Sequence, residues 1–303
     1  MPNSIYCSPT HLKIIVGDAD NKNVHVRDFA EIPLPDGGMI NGIITDEKIM
    51  TDFLAGVNGQ YELSKEGAWL VIHNNSIQTK RMDVPAVSES KVLEFVQREF
   101  DQYSEGKKDG VYDFVVLNPQ AASGGVTIFA VGAGRELLRP YKTVFAEAGY
   151  DLKGINIGVN CQIKLARFLP QLRERTYILV QMDGRHMFLT LFDGGEYRIS
   201  NSYRLINTPE APEWLGEVEN NLSSMIQFSK SQRSYADIAA VYFAGVPSER
   251  FSELEGKLGY LGVDVAELNF RDSLITGGKA ADKGGFNPGD YLFNIGNLLK
   301  QAR

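Results

Sequence analysis

The sequence predicts an α/β protein of two duplicated halves, with a small α/β subdomain inserted in the first. Three observations predict it. The chain opens with a strand–turn–strand–turn–strand run, and the same order returns at 175–205. His11 and Asp18 in the first run align with His186 and Asp193 in the second at one fixed offset. At Ser88 the pattern changes to helix–strand–strand–helix and holds as far as 150, the order of a small unit with its own core. The expected division is 1–83 plus 151–172 for the first half, 84–150 for the insertion and 173–303 for the second half.

The elements follow in order. "LKIIVGDADNKNVHVRDFAEIPLP" reads as two strands around a turn at Asp18–Asn23, because Leu12, Ile14 and Val16 alternate with their neighbours and so do Val24 and Val26. A helix is expected over about 46–57, capped by Thr45 or Asp46. "AWLVIH" (68–73) is a buried strand and "IQTKRMDVP" (77–85) an alternating one. Ser88 is expected to cap a helix to Tyr103, with Val92, Leu93, Phe95, Val96, Phe100 and Tyr103 on one side. Strands at 111–118 and 126–133 lead to a helix at 135–148, which Gly149 terminates as a C′ residue. "YDLKGINI" runs into a helix at about 158–169. The second half adds its meander, a long helix at 213–230, a strand at 238–246, a helix at 248–259 and a strand at 263–268. The glycine-rich "TGGKAADKGGFNPGD" reads as a flexible surface loop before a last helix at 290–301, started by Asn287-Pro288.

Composition excludes several function classes. The 303 residues are 43% hydrophobic and 23% charged, with a formal charge of −7. Both signs are dispersed and no basic stripe forms, so no nucleic-acid partner is expected. The opening residues lack a basic-then-apolar leader, and no stretch reaches the roughly 18–20 apolar residues that cross a bilayer. The expectation is a cytosolic chain with no direct membrane insertion. Cys7 and Cys161 have neither zinc spacing nor a disulfide framework and read as buried apolar residues. His11, His25, His73 and His186 lack metal spacing. "FDGGEY" (192–197) is a hairpin turn, since strands flank it on both sides.

Two duplicated halves that each open with a three-strand meander resemble the actin-like fold. Within it, "DFAEIPLP", "VPAVSESKVLEFVQREFDQY", "MIQFSKSQRSYADIAAVYFAG", "YLGVDVAELNF" and "FNPGDYLFNIGNLL" resemble, in order and spacing, the PilM family of type IV pilus assembly proteins. The cytoplasmic domain of the type II secretion L protein and the cell-division protein FtsA are looser relatives. The resemblance implies an actin-like ATPase fold whose halves are subdomains 1A and 2A/2B, with 84–150 as the inserted subdomain 1C.

In nucleotide-binding members, each meander's first turn follows Asp-x-Gly, so that backbone N–H groups approach phosphate and the acid holds metal and water. The resemblance places the first acid at Tyr6 and the glycine at Ser8, with Pro9 removing a donor; a helper lysine matches at Lys13. The second turn is Gln181-Met182-Asp183, an amide in place of the acid and a carboxylate where phosphate would approach. The adenosine loop keeps one glycine, Gly245, before Val246-Pro247. The loops at Ser8, Pro9, Thr10, Asp183, Gly184, Arg185 and Gly245 therefore read as degenerate, with no catalytic residue, cofactor or metal expected. The competing reading keeps ATP on Ser8, Thr10, Gly184, Arg185 and Gly245 without metal chemistry.

The resemblance further implies a scaffold at the inner face of the cytoplasmic membrane that binds the cytoplasmic tail of a bitopic PilN-like protein and connects the assembly ATPase machinery. It puts the tail groove beside the insertion, between it and the first-half sheet. On that expectation the helix at 88–103 borders the groove, and Leu93, Phe95, Arg98 and Glu99 are its partner-binding residues. The alternatives are an actin-fold ATP-binding protein (an ATPase, a filament former or a secretion-system L-type cytoplasmic domain) and an adaptor unrelated to pili.

Overall fold

A computed structural model describes residues 3–61, 67–102, 109–121, 124–232 and 234–300. The first meander is β1 (Asn3–Cys7), β2 (His11–Ala19) and β3 (Val24–Pro33), followed by a short hairpin, β4 (Met39–Ile40) and β5 (Ile43–Ile44). Helix α1 (Glu47–Tyr61) starts where the Asp46 carboxylate accepts the Ile49 N–H at 2.9 Å, and it runs a turn further than its pattern predicts. Strand β6 (Ala68–Ile72) pairs in parallel with β1 on one side and with β10 (Leu152–Ile157) on the other.

The second meander is β11 (Tyr177–Asp183), β12 (His186–Asp193) and β13 (Glu196–Arg204), and β14 (Ala240–Ala244) and β15 (Asp264–Glu267) extend its sheet in parallel. The order β3-β2-β1-β6-β10 in one sheet matches β13-β12-β11-β14-β15 in the other. His11 and His186 both open the second strand of their meander. Tyr6 faces Lys13 across β1–β2 as Gln181 faces Phe188 across β11–β12. The duplication is thus a repeat of backbone register, which a period-two side-chain pattern specifies strongly.

The insertion is β7 (Gln78–Val84), α2 (Glu89–Asp101), β8 (Gly110–Asn118), β9 (Val126–Gly134) and α3 (Arg135–Glu147), with its own sheet in the order β7-β9-β8. Alternation along β9 divides its two faces. Ile128 and Ala130 meet Val92, Val96 and Phe100 of α2, while Phe129 enters the central core and packs edge-on against Tyr197 of β13. Ser88 occupies the N-cap position of α2, but its hydroxyl makes no capping bond and contacts Ser90 instead. Tyr103 lies outside the described residues. At the end of α3 the expected glycine stop is present: Gly149 has φ +83°, the Tyr150 N–H reaches the Phe145 carbonyl, and the two rings pack at 5.4 Å.

Three layers of core result. The outer face of the first sheet buries Ile5, Leu12 and Leu70 under α1 and α3, and that of the second buries Val180 and Leu189 under α5 (Trp214–Ser231) and α6 (Ser248–Leu258). Between the sheets lie α4 (Gly158–Phe168) and α8 (Leu292–Leu298). Nearly every residue of α8 is buried, the pattern of a helix enclosed on all sides.

The C-terminal segment departs from a division by chain order. Strand β16 (Leu274–Thr276) pairs in parallel with β3, and α7 (Lys279–Lys283) lies against β3. Lys283 bonds Asp28, and Phe29, Phe286 and Tyr291 form an aromatic cluster. The segment that reads as a flexible loop is therefore docked on the first sheet, by isolated aromatics rather than by a periodic stripe. In α8, Asn294 donates to the Ser4 and Lys13 carbonyls at 2.8 and 2.9 Å, and Asn297 donates to Ser4 Oγ and the Trp69 carbonyl. The last helix starts later than expected, because 288–291 form a 3₁₀ turn whose Gly289 N–H is accepted by Asn287 Oδ1, and it stops at Leu298, where Leu299 is extended; the expected end at 301 lies outside the described residues. Cys7 and Cys161 are buried thiols, and burial pushes both up to about 12.

Candidate functional site

The parallel strands β1, β6 and β10 point their C-terminal ends at the cleft between the halves, and β11 and β14 do the same from the other side. Loops at such ends are where α/β sheets place ligands. The structure brings three loops together there: the β1–β2 turn, the β11–β12 turn and the β14–α6 turn.

In the first turn, Ser8 is fully buried and its Oγ accepts the N–H groups of Thr10 and His11 at 3.3 and 3.0 Å. The Ser8 N–H goes to the His11 carbonyl, and Pro9 has no N–H. Thr10 Oγ1 contacts the His11 ring nitrogen at 2.9 Å. The turn's donors are thus engaged within the turn itself. In the second turn, Gly184 has φ +57°, and Arg185 reaches outward to the Ile206 carbonyl.

Asp183 closes the cleft. Only 6% exposed, it accepts the Tyr6 hydroxyl at 3.2 Å and pairs with the Lys13 ammonium at 3.1 Å. Lys13 is 4% exposed and also donates to the Asp290 carbonyl at 3.2 Å, with Glu31 at 3.5 Å. Burial pulls the Lys13 pKa down, but Asp183 and Glu31 together outweigh it and leave it above its ordinary value. Burial, and then the Asp183 charge, push the Tyr6 hydroxyl far up, so it remains a donor.

The 287–291 loop packs against the second and third turns. Gln181 Nε2 donates to the Met182 carbonyl at 2.7 Å and to the Gly289 carbonyl at 3.2 Å. Gly245 has φ +73°, and a Cβ there would meet the Met182 carbonyl oxygen at 2.2 Å; one on Gly289 would meet the Gly245 nitrogen at 2.8 Å. Both glycines are required by backbone-to-backbone approach. Sequence reasoning singled out Tyr6, Lys13, Asp183 and Gly245 but took Tyr6 only as a lost acid, not as the donor to Asp183, and missed the Gly289–Asp290 backbone. The available signal was Asn287-Pro288-Gly289, a turn sequence that the reading used only to start a helix.

The second expected surface is on α2. Leu93 and Phe95 are half-buried, with Phe95 against the insertion's core; Arg98 is exposed, and Glu99 pairs with Lys80. α2 covers the sheet face opposite Phe129, so these four residues lie across the small sheet from the central core. Between insertion and first half, the edge strands β8 and β10 instead flank a groove of about 80 Å³, with Asp113, Val115, Val131, Ile155, Asn156 and Asn160 on its walls.

With this geometry in hand, the chain is similar to a solved structure described as the PilM-PilN type IV pilus biogenesis complex. The identity is 15% and the TM-score 0.79, over 98% of this chain and 97% of that one. It is also similar to a Bacteroides thetaiotaomicron protein with an actin-like ATPase fold and unknown function, at 11% identity and TM-score 0.56, over 88% of this chain and 90% of that one. These likenesses show an actin-like fold, as the sequence resemblance implies. No protein-family model matches the chain, and no curated protein is similar to it in sequence.

Proposed function

We propose that the chain is a PilM-like scaffold of type IV pilus assembly, held at the inner face of the cytoplasmic membrane by the cytoplasmic tail of a PilN-like bitopic protein. In this role it joins the assembly ATPase machinery to the membrane platform without hydrolysing ATP itself. The observation that carries the reading is the match of fold, insertion included, along the whole chain to a structure described as PilM bound with PilN. No described helix is long and apolar enough to cross a membrane.

For the tail, the β8–β10 groove is favoured over the α2 surface. Both flanking strands are sheet edges, where an extended peptide can pair by its backbone. Val115, Val131 and Ile155 supply apolar walls, and Asn156 and Asn160 supply polar ones. The test is calorimetry with a short peptide from the N-terminus of the PilN-like protein encoded beside this chain. Val115→Asp is expected to weaken binding at least about tenfold, the scale of 1.4 kcal/mol, with an unchanged melting temperature. Leu93→Ala, Phe95→Ala, Arg98→Ala and Glu99→Ala are compared in parallel. Loss confined to those four would move the tail to α2, and no peptide binding at all would sink the scaffold reading.

The competing reading, an ATP-binding protein, is disfavoured by the cleft chemistry. Asp183 occupies the approach of a phosphate, and its cation, Lys13, is already engaged. Purified protein is expected to hydrolyse no ATP and to show no Mg²⁺-dependent ATP binding. Tyr6→Asp alone is expected to restore neither, since Pro9, Gln181 and Asp183 remain. Mg²⁺-dependent binding at micromolar affinity in a thermal-shift titration would overturn this.

A further inference from the structure

A cavity of about 290 Å³ lies in the cleft, walled by both halves, the insertion and α8. None of Ser8–Thr10, Asp183–Arg185 or Gly245 lines it. Its size is at the lower end of small-molecule pockets, roughly 300 Å³ upward. Among the described residues no Asp, Glu, Lys or Arg lines it. Ile72, Ile157, Phe188 and Phe293 give it an apolar floor, with the Phe188 and Phe293 rings edge-to-face at 5.3 Å and His73 against Phe188 at 4.5 Å. Burial holds His73 down to about 4, so it is a neutral ring at ordinary pH. Asn75, Asn201 and Ser202 form a neutral hydrogen-bonding rim.

One wall group has unused hydrogen-bonding capacity. Gln162, 1% exposed, accepts the Thr190 hydroxyl at 2.5 Å through Oε1, and its Nε2 has no partner. Buried amide N–H groups without partners are rare and costly, about 1–3 kcal/mol. The last torsion of a glutamine is soft, so a ligand acceptor in the cavity can meet Nε2. Oε1 keeps a second lone pair for a ligand donor.

We propose that this cavity binds an uncharged nucleoside through an adenine-type base. The glutamine amide pairs its own acceptor and donor with a ring that sets a donor beside an acceptor, as adenine does. The aromatic floor accepts a flat ring, and the charge-free walls offer nothing to a phosphate. None of the cleft-loop residues named above lines it, and Ile157 of its floor also lines the β8–β10 groove.

The experiment is isothermal titration with adenosine and ATP, without Mg²⁺. Adenosine is expected to bind, and ATP no more tightly than adenosine. The double variant Gln162→Leu/Thr190→Val removes both hydrogen-bonding partners together, which keeps the fold, and is expected to weaken adenosine binding at least tenfold with little change in melting temperature. Ser200→Trp, which fills the cavity from β13, is expected to abolish it. No adenosine binding, adenosine binding untouched by both variants, or ATP binding tighter than adenosine and insensitive to them would each overturn the proposal.

Discussion

Replacing Lys13 by methionine is expected to destabilise the fold by about 3–5 kcal/mol, the usual cost of removing one partner of a buried ion pair. Both members of the pair are almost wholly buried. Without the ammonium, Asp183 keeps the Tyr6 hydroxyl as donor but has no countercharge. The Asp290 carbonyl also loses its lysine donor. Denaturant unfolding checks the size, and Lys13→Met/Asp183→Asn checks the cause. The double variant removes the charge that was stranded, so it is expected to regain most of the loss. A double variant no better than Lys13→Met would shift the cause to Glu31 and Asp290. The pH dependence has a definite sign. Lys13 is raised above its ordinary value, so its contribution is complete below the unfolded value, about 10.4, and is lost as pH climbs through the folded one. The gap between wild type and Lys13→Met is therefore expected to stay constant through neutral pH and to narrow in strong alkali.

That pair also shows what a sequence can and cannot reveal. The two meanders were legible because alternation over eight or nine residues fixes strand and face together, and because both open their second strand on a histidine. Gly149 was legible because a C′ position needs a positive φ. The partners of Asp183 were not, since Tyr6 is 177 residues away and no local pattern connects them. β16 and α7 escaped for a different reason. Their segment is rich in glycine and its anchors are single residues, Ala280, Lys283 and Phe286, so no period marks a buried face. On α2 the pattern gave the core residues Val92, Val96 and Phe100 correctly, but a helix pattern cannot say which side of a sheet the helix covers.

Gly296→Val is expected to destabilise the contact between α4 and α8 strongly, and Gly296→Ala is the clearest measure of why. α8 crosses α4 at this residue. A Cβ on Gly296 would lie 2.4 Å from the Cys161 carbonyl oxygen and 2.8 Å from the Cys161 Cβ, separations that real side chains do not adopt. Helix propensity favours alanine here by about 1 kcal/mol, but overpacking a filled core costs about 1–3 kcal/mol, so the clash wins. α8 has little room to yield, because Asn294 and Asn297 bind it to Ser4, Lys13 and Trp69 of the first sheet. Valine adds two methyl groups to the same contact and is expected to cost at least about 3 kcal/mol, at the top of the overpacking range. Gly216 of α5 is the control: a Cβ there meets nothing within 4 Å, so Gly216→Ala is expected to stabilise by about 0.5–1 kcal/mol. Urea unfolding of the three variants decides the matter. If Gly296→Ala stabilises as Gly216→Ala does, α4 and α8 do not cross this tightly, and the two sheets are held together by the Tyr6–Asp183–Lys13 contacts and the docked C-terminal segment instead.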